Sequence, residues 1–274
     1  MLEAGAKHDK EVWVLDRPNP AGRKVEGMLL QSGFESFVGV APIPMRHGFT
    51  LGEFCNWYQD HKNLKLTTKV IAMQGYDPTS APGYGWPEEL VWVNPSPNAP
   101  SVNMARAYPG TVMIEGTTLS EGRGTTTALE LVGAPDIEQQ KIMHWMQDQD
   151  SELFHSCRLR HCYFQPTFHK HVDQVCQGMQ FHTTYPEFDP EKFSPYFLIA
   201  LWLKGIRKFH PDYPIWRDFH YEYERERLAF DLINGSEALR LWVDSEEDFS
   251  TLKHRVQQDV ETWQQQAKDY LLYP

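Results

Sequence analysis

The stretch "EVWVLDRPNP", residues 11–20, does most to limit what this chain can fold into. Val12 to Leu15 run without a polar break and stop at Asp16 and a Pro-Asn-Pro turn. Uninterrupted apolar runs of this kind suit strands buried on both faces, as in parallel sheets covered by helices. Only "MLEAGAKHDK" precedes the run, and it reads as the last turns of a helix ended by Gly5 or a later residue. The pattern predicts an α/β fold that this chain enters in the middle of a unit.

The rest of the chain supports that class. Thr50 and Glu53 have the spacing of a capping box and predict a helix from Leu51 to about Asp60. Leu64, Leu66, Val70 and Ile71 mark a strand, and residues 75–100 a loop rich in Gly, Pro and aromatics. "TVMIEG", 111–116, reads as a further buried strand, and "IEQQKIMHWMQDQD" as a helix. "LRHCYFQPTFHKHVDQVCQGMQFHTTY" reads as two strands around a loop. "SPYFLIALWLKGIRKF" is a helix capped by Ser194, with Pro195 in its first turn and Gly205 near its end. Two amphipathic helices follow Gly235.

Composition removes several function classes. With 37 acidic against 26 basic residues and no Lys/Arg block, the formal charge of −11 argues against a nucleic-acid surface. No apolar run reaches the roughly 18–20 residues of a membrane span. The N-terminus lacks the basic start and apolar block of a signal peptide, which places the protein in the cytoplasm if this start is its own. Cys55, Cys157, Cys162 and Cys176 fit no zinc spacing and read as small buried thiols, with a single disulfide left open.

Chemistry is concentrated in loops. "IEGTTLSEGRGTTT", 114–127, holds Glu115, Glu121, Arg123 and a ring of hydroxyls, with no apolar periodicity to suggest a core element. Two carboxylates facing one cavity are the usual apparatus of glycoside hydrolysis, and hydroxyl-rich loops with Asn and Arg suit sugars. Each residue also has a bland reading. Glu26 alone reads as a surface residue beside a turn glycine, Glu53 as a helix cap, and Asp16 with Arg17 as a local ion pair. Glu115 follows an apolar run, where ligand crevices form in α/β sheets. "GRGTTT" lacks the Gly-Lys-Ser/Thr ending of a phosphate loop. His155, His161, His169, His171 and His182 crowd one region, with His169 and His171 expected on one strand face, but no H-E-x-x-H spacing appears.

Taken in order, "VWVLDRPNPAGRKVEG", "SFVGVAPIPMRHGFTLGE", "WVNPSPNAP", "AYPGTVMIEGTTLSEGRGTT", "ELVGAP", "FQPTFHKH" and "YLLYP" resemble the exo-β-N-acetylmuramidases of the NamZ type. The resemblance runs from about residue 11 to the C-terminus and is most specific over 108–126. It implies a hydrolase that releases terminal N-acetylmuramic acid from the non-reducing end of peptidoglycan fragments, without cofactor or metal. It implies the C-terminal part of a Rossmann-like domain, residues 1–133, followed by a smaller α/β domain, residues 134–274, with the active site between them. Matching positions suggest Glu26 as a catalytic carboxylate and Arg46, His47, Asn98, Glu115, Ser120, Glu121 and Arg123 as sugar-binding residues. Arg46 or Arg123 would pair with the lactyl carboxylate. The family often acts in the periplasm or outside the cell.

The departures are Phe49 where the family usually has Met, Thr118 where it usually has Asn, and an upstream Rossmann half. That half carries a Gly-Pro-Glu-His-Gly motif with the other presumed acid. The expectation is therefore either a fragment of such a hydrolase, inactive as this truncated chain, or a chain whose N-terminal half is encoded separately as a partner. Exposed strand edges with poor solubility or self-association are expected of this chain alone. The alternatives are a non-catalytic sugar-binding remnant and, from the histidines, a metal-dependent hydrolase.

Overall fold

Three small sheets and the helices packed on them make up the described part of the chain. The computed structural model describes residues 1–79, 86 and 89–273. Helix α1 (Leu2–Lys7) precedes strands β1 (Val12–Leu15), β2 (Glu26–Leu29) and β3 (Pro44–Arg46); α2 (Leu51–His61), β4 (Thr68–Ile71) and α3 (Val102–Thr111) follow. Then come β5 (Leu131–Ala134), α4 (Gln139–Gln149), α5 (Ser151–Phe154), β6 (Arg158–Phe164) and β7 (Cys176–His182). Helices α6 (Pro195–Phe209), α7 (Ala229–Asn234), α8 (Ala238–Asp244) and α9 (Phe249–Ala267) close the chain. With 37% helix and 15% strand, the protein is of the mixed α/β class that the sequence predicts.

Strands β1 and β4 pair in parallel, with α2 in the connection between them, as expected of an α/β unit. Strand β2 pairs antiparallel with β3, placing Glu26 opposite Arg46, and the third sheet has the order β5-β7-β6, also antiparallel. The expectation that β1 is buried on both faces does not hold. Val14 is buried, but Trp13 is 55% and Leu15 70% exposed, and the Lys69 ammonium sits 4.2 Å from the Trp13 ring centroid. Among the described residues the sheet is covered on the side of α2 only, so the apolar run marks one packed and one exposed face.

Local signals explain α2. Thr50 Oγ1 accepts from the Glu53 amide while the Glu53 carboxylate accepts from the Thr50 amide, the reciprocal cap read from the sequence. Glu53 also receives Arg23 in a two-pronged pair at 2.7 and 3.0 Å and the Leu272 amide at 2.8 Å, which ties the C-terminal segment to this helix start. Asp16 forms no ion pair with Arg17. It accepts from Thr50 Oγ1 at 2.7 Å, the Gly52 amide at 2.9 Å and Tyr273 Oη at 2.8 Å, so it fastens the β1 end to α2.

The segment 111–116 is a second correction. It continues α3 and then tightens into a 3-10 turn, Val112–Gly116, instead of forming a strand. Ser101 Oγ caps α3 by accepting from the Met104 amide, and the β-branched run stays helical because Val112, Met113 and Ile114 are all buried. Tertiary packing overrides their strand propensity. The α3–α6 contact is close enough that a Cβ on Gly110 would lie 2.2 Å from the Pro195 carbonyl oxygen. The expected helices at 139–149, 195–209 and after Gly235 are present, as are the two strands around the loop at 165–175. Of the loop expected over 75–100, residues 80–85, 87 and 88 lie outside the described residues.

The largest core gathers the sheet β5-β7-β6 and the helices around α6, whose Leu198 to Leu203 are all buried. A second core joins α1, β1 and α2 to Trp263 and Ala267 of α9. All four cysteines are buried and free.

Candidate functional site

The loop 114–127 turns inward. Thr117, Leu119, Ser120 and Glu121 are buried, so the polar segment that lacks apolar periodicity nevertheless plugs the fold. Its charges are matched from a distance. Lys170 of the β6–β7 loop donates to the Ile114 carbonyl at 2.7 Å, the Leu119 carbonyl at 2.8 Å and Glu121 Oε2 at 2.8 Å. Left-handed backbone at His169, His171 and Asp173 forms the knuckle that delivers this lysine. His169 and His171 therefore share no strand face. His169 Nδ1 lies 3.4 Å from Glu121, and His171 Nε2 lies 2.9 Å from the Thr118 carbonyl. Among the described residues no three His, Cys, Asp or Glu groups gather as a metal site.

Arg123 lies between the two acids of this loop. Its terminal nitrogen donates to Glu115 at 2.5 Å, and its Nε lies 3.0 Å from Glu121 Oε1, an ion-pair contact without an aligned hydrogen bond. Both carboxylates hold the Arg123 proton more firmly, against the opposing effect of burial. Tyr221 Oη donates to the other Glu115 oxygen at 3.2 Å, and burial followed by the Glu115 charge pushes that phenol up.

The earlier segment supplies the opposite wall. Arg46 is buried, and it donates from Nε to the Ala21 carbonyl at 2.8 Å and from a terminal nitrogen to the Phe193 carbonyl at 3.1 Å. His47 Nδ1 accepts from the Phe49 amide at 3.1 Å, which requires that nitrogen to be unprotonated. Enclosure by protein pulls the His47 pKa from 6.5 down to about 4, with the Glu53 charge opposing. The ring is neutral at pH 7.

Glu26 is not a surface residue. It is 2% exposed, accepts from the Phe197 amide in the first turn of α6 at 3.1 Å, and has no hydrogen-bond partner at Oε2. Burial raises its pKa, while Lys24 and Arg46 act against the shift. Lys24 itself is lowered by burial and donates to the Phe193 carbonyl and Ser194 Oγ at 3.1 and 2.9 Å.

These walls enclose a cavity of about 460 Å³. Arg46, His47, Asn98, Glu115 and Arg123 line it together with Tyr108 and Trp92. Glu26, Ser120 and Glu121 do not line it: Glu26 stands opposite Arg46 across the β2–β3 pair, and Ser120 and Glu121 lie beneath the loop surface. The cavity thus offers two guanidinium groups, a neutral imidazole, an amide, a carboxylate and aromatic surface. That set suits a polar, ring-shaped ligand that carries a negative charge. Sequence reasoning missed Lys170, Tyr108 and Tyr221. Nothing in their spacing marks them, because each acts on residues distant in the chain.

Comparison with known proteins adds the family context. Residues 106–273 match the family model described as exo-beta-N-acetylmuramidase NamZ, C-terminal, and residues 1–103 match its N-terminal counterpart. A peptidoglycan beta-N-acetylmuramidase NamZ from Bacillus subtilis (strain 168) is 31% identical over 279 residues, 99% of this chain. The chain spans 62% of the length of that relative. The crystal structure of a DUF1343 family protein from Bacteroides fragilis NCTC 9343 superposes with a TM-score of 0.82 at 26% identity, over 100% of this chain and 69% of that one. A second protein of that family and organism, at 24% identity and a TM-score of 0.75, shares the fold.

Proposed function

The chain belongs to the exo-beta-N-acetylmuramidase NamZ family, and from that premise we propose that it takes part in releasing terminal N-acetylmuramic acid from peptidoglycan fragments. The observation that carries the proposal is where the polar groups converge. Arg46, His47 and Asn98, from the part matching the N-terminal model, face one cavity with Glu115 and Arg123, from the part matching the C-terminal model. N-acetylmuramic acid combines a pyranose, an N-acetyl group and a lactyl carboxylate. Arg46 and Arg123 would hold the carboxylate, Asn98 the N-acetyl group, and the aromatic walls the sugar face.

Hydrolysis of a glycosidic bond needs one protonated carboxyl group and a second carboxylate. Glu26 fits the first role by a burial that raises its pKa and so favours its protonated form, although it sits behind the cavity wall. Glu115 fits the second by its place in the lining. The other acid implied by the family resemblance, on the Gly-Pro-Glu-His-Gly motif, belongs to the same proposal. So do the division of the chain at residues 133/134 and action on fragments in the periplasm or outside the cell.

A second reading has its own support. Arg123 neutralises Glu115 at 2.5 Å and Glu26 lies off the cavity, which favours sugar binding without turnover. Release of a chromophore from an aryl β-N-acetylmuraminide separates the readings. Activity lost in both Glu26→Gln and Glu115→Gln supports hydrolysis by this chain. Binding of the monosaccharide without release, restored to turnover by an added N-terminal half, supports a divided enzyme. Binding with no release under either condition leaves the binding reading, and no binding at all refutes the proposal.

A further inference from the structure

The cavity does not end at His47. A second cavity of about 260 Å³ shares Met45, His47, Tyr108 and Pro109 with the first, and a third of about 100 Å³ shares Val38 and Tyr221 with the second. The three adjoin in series, a track marked out by these shared wall residues, and Tyr221, which touches the second and third, donates to the Glu115 of the first.

The lining changes along this track. Among the described residues no Lys, Arg, Asp or Glu lines the second cavity, whose polar contributions come from groups such as His47, Tyr108 and Tyr221. At the third, two tight turns meet: an antiparallel bridge between Ser36 and Gly39 on one side and between Tyr221 and Glu224 on the other. Each presents an exposed aromatic. Phe37 is 69% and Tyr223 84% exposed, and their rings meet edge to face at 5.4 Å. Arg227 ties the second turn to the segment just before the first by donating to the Gly33 carbonyl and to Glu224. Large aromatics this exposed bury no core, and a cross-linked pair of turns holds them in place.

We infer that this track is an extended glycan-binding groove: the sugar next to the terminal one lies in the second cavity, and the chain beyond it stacks on Phe37 and Tyr223. The inference rests on the proposed function, since it places the terminal N-acetylmuramic acid in the first cavity. In peptidoglycan the neighbouring sugar is N-acetylglucosamine, which is neutral and matches the uncharged second cavity. The next N-acetylmuramic acid carries a bulky lactyl or peptidyl substituent, and an open aromatic platform accepts its pyranose face without enclosing that group. Pyranose rings present apolar C–H faces, which aromatic rings bind by contact area and weak polar attraction.

The test compares binding of methyl β-N-acetylmuraminide with that of a thio-linked, non-hydrolysable tetrasaccharide that starts with N-acetylmuramic acid, by titration calorimetry. The tetrasaccharide binds about tenfold more tightly or better. Phe37→Ala and Tyr223→Ala each weaken it roughly threefold to tenfold and leave the monosaccharide unchanged. Both side chains are exposed, so an unaltered melting temperature is expected and confirms that the variants fold. Equal affinities for the two ligands, or variants that weaken both alike, overturn the groove while the muramyl reading stands. Tetrasaccharide binding sensitive to Tyr223→Ala, without monosaccharide binding, keeps the groove and removes that reading. Binding of neither removes both.

Discussion

Replacing Lys170 with Met keeps most of the side-chain volume and removes the ammonium group. Lys170 is 7% and Glu121 0% exposed, so the change strands a buried carboxylate. Breaking a buried pair from one side costs about 3–5 kcal/mol. Two details place this case at the lower end. Arg123 Nε stays 3.0 Å from Glu121, and the Ile114 carbonyl keeps the Thr117 amide and hydroxyl as donors. A loss of about 3 kcal/mol lowers the melting temperature by roughly 6–12 °C in a chain of this size. Urea unfolding followed by tryptophan fluorescence measures it. The double variant Lys170→Met/Glu121→Gln removes both charges, so its cost falls short of the sum of the single changes by about 1 kcal/mol or more. A single variant within about 1 kcal/mol of the parent, or strictly additive costs, would refute the view that this pair holds the loop.

Three further outcomes are expected. His47 has a folded pKa near 4 against 6.5 for a free ring, so the unfolded state takes up the proton first. Its contribution is intact above pH 6.5 and is lost as pH falls toward 4; urea midpoints across that window decline less in His47→Gln than in the parent. Asp16→Asn turns one acceptor of a hub serving Thr50, Gly52 and Tyr273 into a donor facing donors, and costs about 2–3 kcal/mol in the same assay. Gly110→Ala puts a methyl 2.2 Å from the Pro195 carbonyl oxygen and forces α3 from α6, costing roughly 1–3 kcal/mol or more; an unchanged unfolding midpoint would show that this contact is looser.

What the sequence determined by itself was local. The Thr50/Glu53 cap, the helices 139–149 and 195–209 and the strands around 165–175 follow from side-chain periodicity and from groups within a few positions of each other. The motif order also carried the family, because those motifs are contiguous stretches. Tertiary structure decided the rest. Whether an acid is solvated or buried depends on partners far along the chain: Lys170 stands 49 positions from Glu121, and Tyr221 stands 106 from Glu115. The strand expected at 111–116 became helix because burial on all sides outweighs β-branched propensity. The run Val12–Leu15 packed on one face only, since an apolar pattern states that a strand can be covered, and only the arrangement of neighbouring elements decides where covering occurs. For the same reason Arg46, His47, Asn98, Glu115 and Arg123 share a cavity while Glu26 lies behind it: sequence lists the charges, and packing chooses which of them a ligand can touch.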